Sequence, residues 1–217
     1  MTREEMLVSL VARVLVLPED RPRLVAIDGT SCVGKTTLAD ELTVVLQEAG
    51  LLVVRVSGDD FHQPREVRHR RGRLSAEGYL EDSYDLASLR RLVLDPARKG
   101  EPSVRTASYD LAADAPVSPE PVELTPSAVV LVEGEFLLVP ELADAWDLGI
   151  MLVADPAVIL ARALDRDADL GSPDEVRERY LRRYLGAWAL HEERNDPWSL
   201  ADVVVDVSEP DQPRMLG

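Results

Sequence analysis

The sequence is short of several things, and each shortage closes off a class of function. It has one cysteine, Cys32, so no internal disulfide is possible and a metal site built from thiolates is disfavoured. Positive charge is scarce: 24 Lys and Arg against 40 Asp and Glu leave a formal net charge of −16. That balance argues against broad binding to nucleic acid or to an anionic membrane, because both need a positive field. Long apolar runs are missing as well, and none approaches the ~18 residues of a membrane span. The opening "MTREEMLVSLVARVLVLPEDRP" does contain an apolar segment, but acids precede it and Arg13 interrupts it. Thr2 and Glu5 have the spacing of a capping box, so residues 1–22 read as an amphipathic N-terminal helix rather than a secretion signal. A soluble, cytoplasmic protein is the expectation. Lysine is the scarcest base, with Lys35 and Lys99 standing among arginines.

What is present is ordinary for a globular chain. An apolar fraction of 46% with 29% charged residues over 217 residues suits one domain, 1–217, with a sizeable core. Short apolar runs alternate with helical stretches, which favours an α/β fold with a mostly parallel sheet. Five strands are expected: "LVAIDG" (24–29), "LLVVRVSGDD" (51–60), "AVVLVEGEF" (128–136), "LGIMLVAD" (148–155) and "ADVVVDV" (201–207). Helices are expected over "KTTLADELTVVLQEAG", closed by Gly50, over 85–95, and over 157–193 in two pieces. Two regions break the alternation. Residues 61–84 are polar and rich in arginine and glycine, which reads as a functional loop. Residues 103–127 show short alternating runs around a Pro-rich turn, which reads as a β-hairpin insertion.

The segment "GTSCVGKT" (29–36) matches G-x-x-x-x-G-K-[ST], and it stands between an expected strand and an expected helix. Backbone N–H groups of Gly29, Thr30, Ser31, Cys32, Val33 and Gly34 would wrap a phosphate, and the helix beginning at Lys35, Thr36 and Thr37 would present its positive end. Lys35 would reach the β and γ phosphates and the Thr36 hydroxyl would ligate magnesium. Cys32 reads as a small loop residue; the alternative is a redox-sensitive thiol. The loop identifies a nucleotide site without identifying a reaction. No N-K-x-D follows, which lowers a GTPase switch, and no partner elements of a motor ATPase are visible. The second strand ends in "SGDDF", where a carboxylate at a strand's carboxyl end would face the ligand crevice and accept a proton from an attacking hydroxyl.

Six segments in this order, "GTSCVGKTTLA", "VVRVSGDDF", "SVRTASYD", "AVVLVEGEFLL", "ARALDRD" and "ADVVVD", resemble the uridine kinase and phosphoribulokinase family of P-loop small-molecule kinases. The resemblance runs from about Leu24 to Val207. It implies a P-loop fold with a helical lid at 157–193 and a substrate loop at 61–84. It implies ATP, or GTP in its place, with Mg2+, and a small-molecule acceptor. It places the catalytic base on Asp59, assisted by Lys35 and Arg166. Thr36, Asp59 and Glu133 become the metal-facing set, and Arg162 joins Arg166 as a lid arginine on the phosphates.

The acceptor contacts are less well matched. The position of a ribose-binding aspartate falls on Tyr79, with Asp82 three residues later; the hairpin tyrosine matches Tyr109, but the family histidine falls on Asp114. His62 stands where the family often has tyrosine. The acceptor-side candidates are therefore Asp59, His62, Tyr79, Asp82, Tyr109 and Glu133. The run Arg65, Arg68, Arg70, Arg71, Arg73 reads either as an anion-binding element or as a surface loop balancing an acidic chain, and Arg177, Arg179, Arg182 and Arg183 as a solvated helix face. The function expected is phosphoryl transfer to a hydroxyl of a uridine-type nucleoside. Kept beside it are another acceptor (nicotinamide riboside-like, pantothenate-like or anionic) and a nucleotide-binding regulator without turnover. A homo-oligomer is allowed.

Overall fold

The computed structural model describes residues 1–216. The chain opens with α1 (Arg3–Leu15), whose Thr2–Glu5 capping box forms as the spacing predicts. Then come β1 (Arg23–Asp28), α2 (Lys35–Glu48) and β2 (Val53–Ser57). Residues 61–84 are more structured than the loop expected, and they hold α3 (Ala76–Asp82), capped by Ser75. A helix α4 spans 86–98 with a π-type segment at Arg90–Leu94. After it the insertion builds two small antiparallel ladders rather than one hairpin: Ser103–Val104 with Val122–Glu123, and Tyr109–Asp110 with Ala115–Pro116.

The chain then returns to the sheet through β3 (Val129–Gly134) and β4 (Leu148–Val153). The lid follows as α5 (Pro156–Arg166) and α6, residues 173–195, with a π-type segment at Tyr180–Tyr184. Last are β5 (Val203–Asp206) and β6 (Arg214–Leu216).

The described residues form a six-stranded sheet in the order β6-β5-β4-β1-β3-β2. The five expected strands are all present and parallel, and β6 adds an antiparallel sixth at the edge. The short "RML" run after a Pro-containing turn carries little periodicity, which is why alternation alone gave five. Strands β1 and β3 are buried along their whole length, so both faces of the sheet are covered. Val25 and Ile27 face the cluster formed with α1, α2 and α5; Leu24 and Ala26 face the cluster formed with α3, α4 and α6.

One buried carboxylate ties the centre together. Asp28 is fully buried at the end of β1; its Oδ1 accepts the N–H groups of Gly29 (2.7 Å) and Phe136 (3.0 Å), and its Oδ2 accepts that of Leu138 (2.7 Å). His191 of α6 brings Nε2 to within 3.7 Å of Oδ2. Phe136 has φ +62°, a strained conformation for a bulky residue that the bond to Asp28 helps hold. Asp28→Ala orphans three N–H groups at once. It is expected to cost about 3 kcal/mol or more in a urea-unfolding series, and a loss below 1 kcal/mol would show that the turn after β3 holds itself.

Candidate active site

The phosphate loop leaves β1 at Gly29, where φ is +151° and an added Cβ would stand 2.6 Å from the Leu152 carbonyl oxygen. Only glycine fits there. The loop turns again at Cys32 (φ +62°) and Gly34 (φ +113°) and runs into α2. The Lys35 ammonium folds back over it, donating to the carbonyls of Gly29 (2.9 Å) and Thr30 (3.1 Å). The Thr30 hydroxyl is buried with no partner, and Thr36 and Thr37 expose theirs in the first turn of α2.

On the strand side, β2 and β3 approach so closely that a Cβ on Gly58 would lie 3.2 Å from the Cα of Gly134. This contact sets Asp59 beside Glu133 across the two strand ends. Ser57 serves both: its hydroxyl donates to Glu133 Oε1 (3.1 Å) and accepts the Asp59 N–H (3.3 Å). Glu133 is buried, while the Asp59 side chain is 66% exposed. Next to it, burial and the charges of Asp59 and Glu133 push the Asp60 carboxyl upward.

The lid contributes a fixed arginine. Arg166 donates to Asp167 Oδ1 (2.9 Å) and to the Tyr180 hydroxyl (2.6 Å), with Ser31 Oγ at 3.5 Å. Tyr180 donates to Asp167 Oδ2 and lies 3.2 Å from the Cys32 sulfur. Burial pushes the Cys32 thiol pKa up, which keeps it in the protonated, poorly reactive form. Arg162 spans the loop and the sheet, donating to the carbonyls of Val33 (3.0 Å) and Val207 (2.6 Å).

Lys35, Thr36, Thr37, Asp59, Glu133, Arg162 and Arg166 thus line one cavity of about 640 Å3 with loop residues Ser31–Gly34. Its volume suits a nucleotide-sized ligand. The Lys35 ammonium, held only by loop carbonyls, and the N-terminal end of α2 fit a phosphate. A hydroxyl and two carboxylates fit magnesium, which prefers oxygen donors and keeps several waters or phosphate oxygens of its own.

The other candidates lie elsewhere. His62 and Tyr109 line a neighbouring cavity of about 740 Å3 under the insertion, together with Asp114, to which the Tyr109 hydroxyl donates at 2.9 Å. Burial lowers the His62 pKa to about 4, so its imidazole is neutral near pH 7. Asp82 is buried against Arg70 and Arg71, with Nε atoms at 3.0 Å and 3.1 Å. Arg183, grouped above with a solvated face, is buried instead, donates to the Arg73 carbonyl and lies 4.5 Å over the Tyr79 ring. Tyr79 is buried behind the first cavity.

Sequence reasoning missed Ser57, Tyr84, Tyr180 and Glu135. The signal for Glu135 was present: two residues after Glu133, the period of a strand puts it on the same side. It lines the loop cavity and is 5% exposed. Tyr79 donates to Glu135 Oε1 at 3.0 Å, the Tyr79 and Tyr84 hydroxyls are 3.0 Å apart, and Tyr84 stands 3.3 Å from Asp59 Oδ1. Burial is the main cause that raises the Glu135 pKa from 4.5 to about 7, against the pull of Lys35.

A raised folded-state pKa in an acid means that stability falls as pH climbs from the unfolded value through the folded one. Measured against Glu135→Gln, which does not titrate, the wild type should lose up to about 3 kcal/mol between pH 4.5 and 7. Urea unfolding at a series of pH values reads this directly, and parallel profiles for the two proteins would refute it.

The chain is similar to several known proteins. The family model described as "Phosphoribulokinase / Uridine kinase family" matches residues 24–183. A pantothenate kinase from Limosilactobacillus reuteri subsp. reuteri is 27% identical over 146 residues, covering 64% of this chain and 47% of that one. The chain therefore spans about half the length of that relative. A uridine kinase from Leuconostoc citreum is 27% identical over 154 residues, 69% of this chain and 70% of that one. Among solved structures, one described as a possible uridine kinase from Bacillus stearothermophilus superimposes with a TM-score of 0.74 at 24% identity, covering 93% of this chain and 97% of that chain. With the loop, the paired strand-end carboxylates and the fold in agreement, the chain belongs to the phosphoribulokinase/uridine kinase family of small-molecule kinases.

Proposed function

We propose that the chain transfers the γ-phosphoryl group of ATP to a hydroxyl of a small molecule, with a uridine-type nucleoside as the acceptor. The observation that carries this reading is the placement of Asp59 and Glu133 in the same cavity as Lys35 and the phosphate loop. A nucleotide-binding regulator needs the loop but not a proton acceptor opposite it.

Each residue has a distinct task. The loop N–H groups and Lys35 would hold the β and γ phosphates, the ammonium exchanging the Gly29 and Thr30 carbonyls for phosphate oxygens. Thr36, Asp59 and Glu133 would hold Mg2+, which when bound neutralises charge on the transferring group. Asp59, exposed to the cavity, takes the proton of the attacking hydroxyl. Arg166, already oriented by Asp167 and Tyr180, stabilises charge on the moving phosphoryl group without reorganising at the moment of reaction. No described helix is long and apolar enough to cross a membrane.

A pantothenate acceptor is the second reading, favoured by the similarity to pantothenate kinases. In an ADP-release assay with uridine or pantothenate, Asp59→Asn should lower kcat by about 100-fold or more while ATP binding changes less than threefold. Acceptor-independent nucleotide turnover, unchanged in Asp59→Asn, would point instead to the regulator.

A further inference from the structure

The loop cavity extends well beyond the reacting groups. Asp59 and Glu133 stand at one end, and the γ-phosphoryl group of a nucleotide on the loop must point toward them. The polyphosphate then runs back past Lys35 and Thr36, which leaves the nucleoside at the end away from the carboxylates. That end is walled by Arg3 and Met6 of α1, by Glu41 of α2, and by Val207, Pro210 and Asp211 after β5. Glu41 lies about 9 Å further along α2 than Lys35, so the wall continues in the direction the nucleotide must take. Both α1 and the segment after β5 fall outside residues 24–183, the part that the family model matches. Membership of the family therefore assigns them no role.

Arg3 joins these elements. Its Nε donates to Glu41 Oε1 at 2.8 Å and Oε2 at 2.9 Å, its Nη2 lies 2.8 Å from Oε2, and its Nη1 donates to the Pro210 carbonyl at 3.2 Å. Every nitrogen of the group is engaged at its edge, yet the side chain keeps 24% of its surface exposed. What it offers a ligand is chiefly its flat face, and guanidinium planes stack on aromatic rings. The pair with Glu41 is neutral as a unit, which suits an uncharged ring better than a phosphate. Arg162 is pinned in the same manner, with its edge on the Val33 and Val207 carbonyls. Burial is the main cause that lowers the Arg162 pKa, and the charge of Arg3 adds to it, which marks the two cations as neighbours. Met6, three residues after Arg3 and on the same helix face, is fully buried in the wall.

We propose that α1 and residues 207–211 form the nucleoside end of the nucleotide site, and that the nucleobase stacks on the guanidinium face of Arg3. This rests on the nucleotide reading of the loop, and it holds whether or not the phosphoryl group is transferred. Stacking needs a planar ring held over a plane already fixed at its edges, and the bonds to Glu41 and Pro210 fix it before the ligand arrives.

Calorimetric titration of the full chain with Mg2+ compares ATP with inorganic tripolyphosphate, which carries the phosphates and no ring. The wild type should bind ATP more tightly by about tenfold or more, the scale of one base-stacking contact. Arg3→Ala should remove about tenfold from ATP affinity and change tripolyphosphate affinity less than about twofold. Arg3→Lys keeps the charge without the plane and should match Arg3→Ala. Because Arg3 also ties α1 to α2, the melting temperature of each variant is measured without ligand. Should a variant unfold, hydrogen exchange in the wild type decides: ATP should slow the amides of residues 207–212, and tripolyphosphate should not.

Unchanged ATP affinity in folded Arg3→Ala overturns the proposal, and so does equal protection of 207–212 by the two ligands. Recovery of ATP affinity in Arg3→Lys, or an equal loss for tripolyphosphate in Arg3→Ala, also overturns it, because Arg3 would then act through its charge on the phosphates. Failure of the wild type to bind either ligand is a different result. It removes the nucleotide reading of the loop, and the proposal with it.

Discussion

The fully buried carboxylate of Asp28 is the constraint on which the rest of the structure depends. It ends the central strand, opens the phosphate loop through Gly29, and reaches across to fix the turn after β3 at Phe136 and Leu138. The turn it fixes follows directly on Glu133 and Glu135. A charge this deep is tolerable because three backbone donors and a histidine surround it, and removing them would leave an uncompensated ion in a low-dielectric core. Loop and carboxylates are therefore not two sites brought near each other. They are two ends of one hydrogen-bonded unit.

Around that unit the charged residues fall into two sets. One set is held by internal pairs and shapes the walls: Arg68 with Asp114, Arg70 and Arg71 with Asp82, Arg183 over Tyr79. The other lines the loop cavity: Lys35, Arg162 and Arg166 on one side, Asp59, Glu133 and Glu135 on the other. In a chain of net charge −16, holding a polyphosphate requires that the few local cations be oriented in advance, and the Asp167–Tyr180–Arg166 cluster does so through short, charge-assisted bonds.

The tyrosines link the reacting side to the hidden side. Three contacts join Asp59, Tyr84, Tyr79 and Glu135, but two phenols supply only two hydrogens, so a carboxyl proton completes the set when all three are made. Tyr79 thus supports Glu135 from behind, where the acceptor contact expected at that position lay in the cavity itself. Asp82, next in line for the same role, is turned to the arginine loop.

The phosphate loop, the five parallel strands, the capped first helix and the carboxylate at the end of β2 were legible in the amino-acid order, because each rests on local chemistry. Glycine is needed at position 29, where a Cβ would strike the Leu152 carbonyl, apolar runs are needed in a sheet covered on both faces, and a Thr-x-x-Glu spacing caps its own helix. The edge strand β6, the burial of Arg183, the pairing of Asp82 with the arginine run and the orphaned Oε2 of Glu135 were decided only in three dimensions. Their partners lie from 8 residues away, Arg214 with Asp206, to 110, Arg183 with Arg73, and a charged side chain's partner is set by which surfaces the packed core brings together, not by its neighbours in sequence.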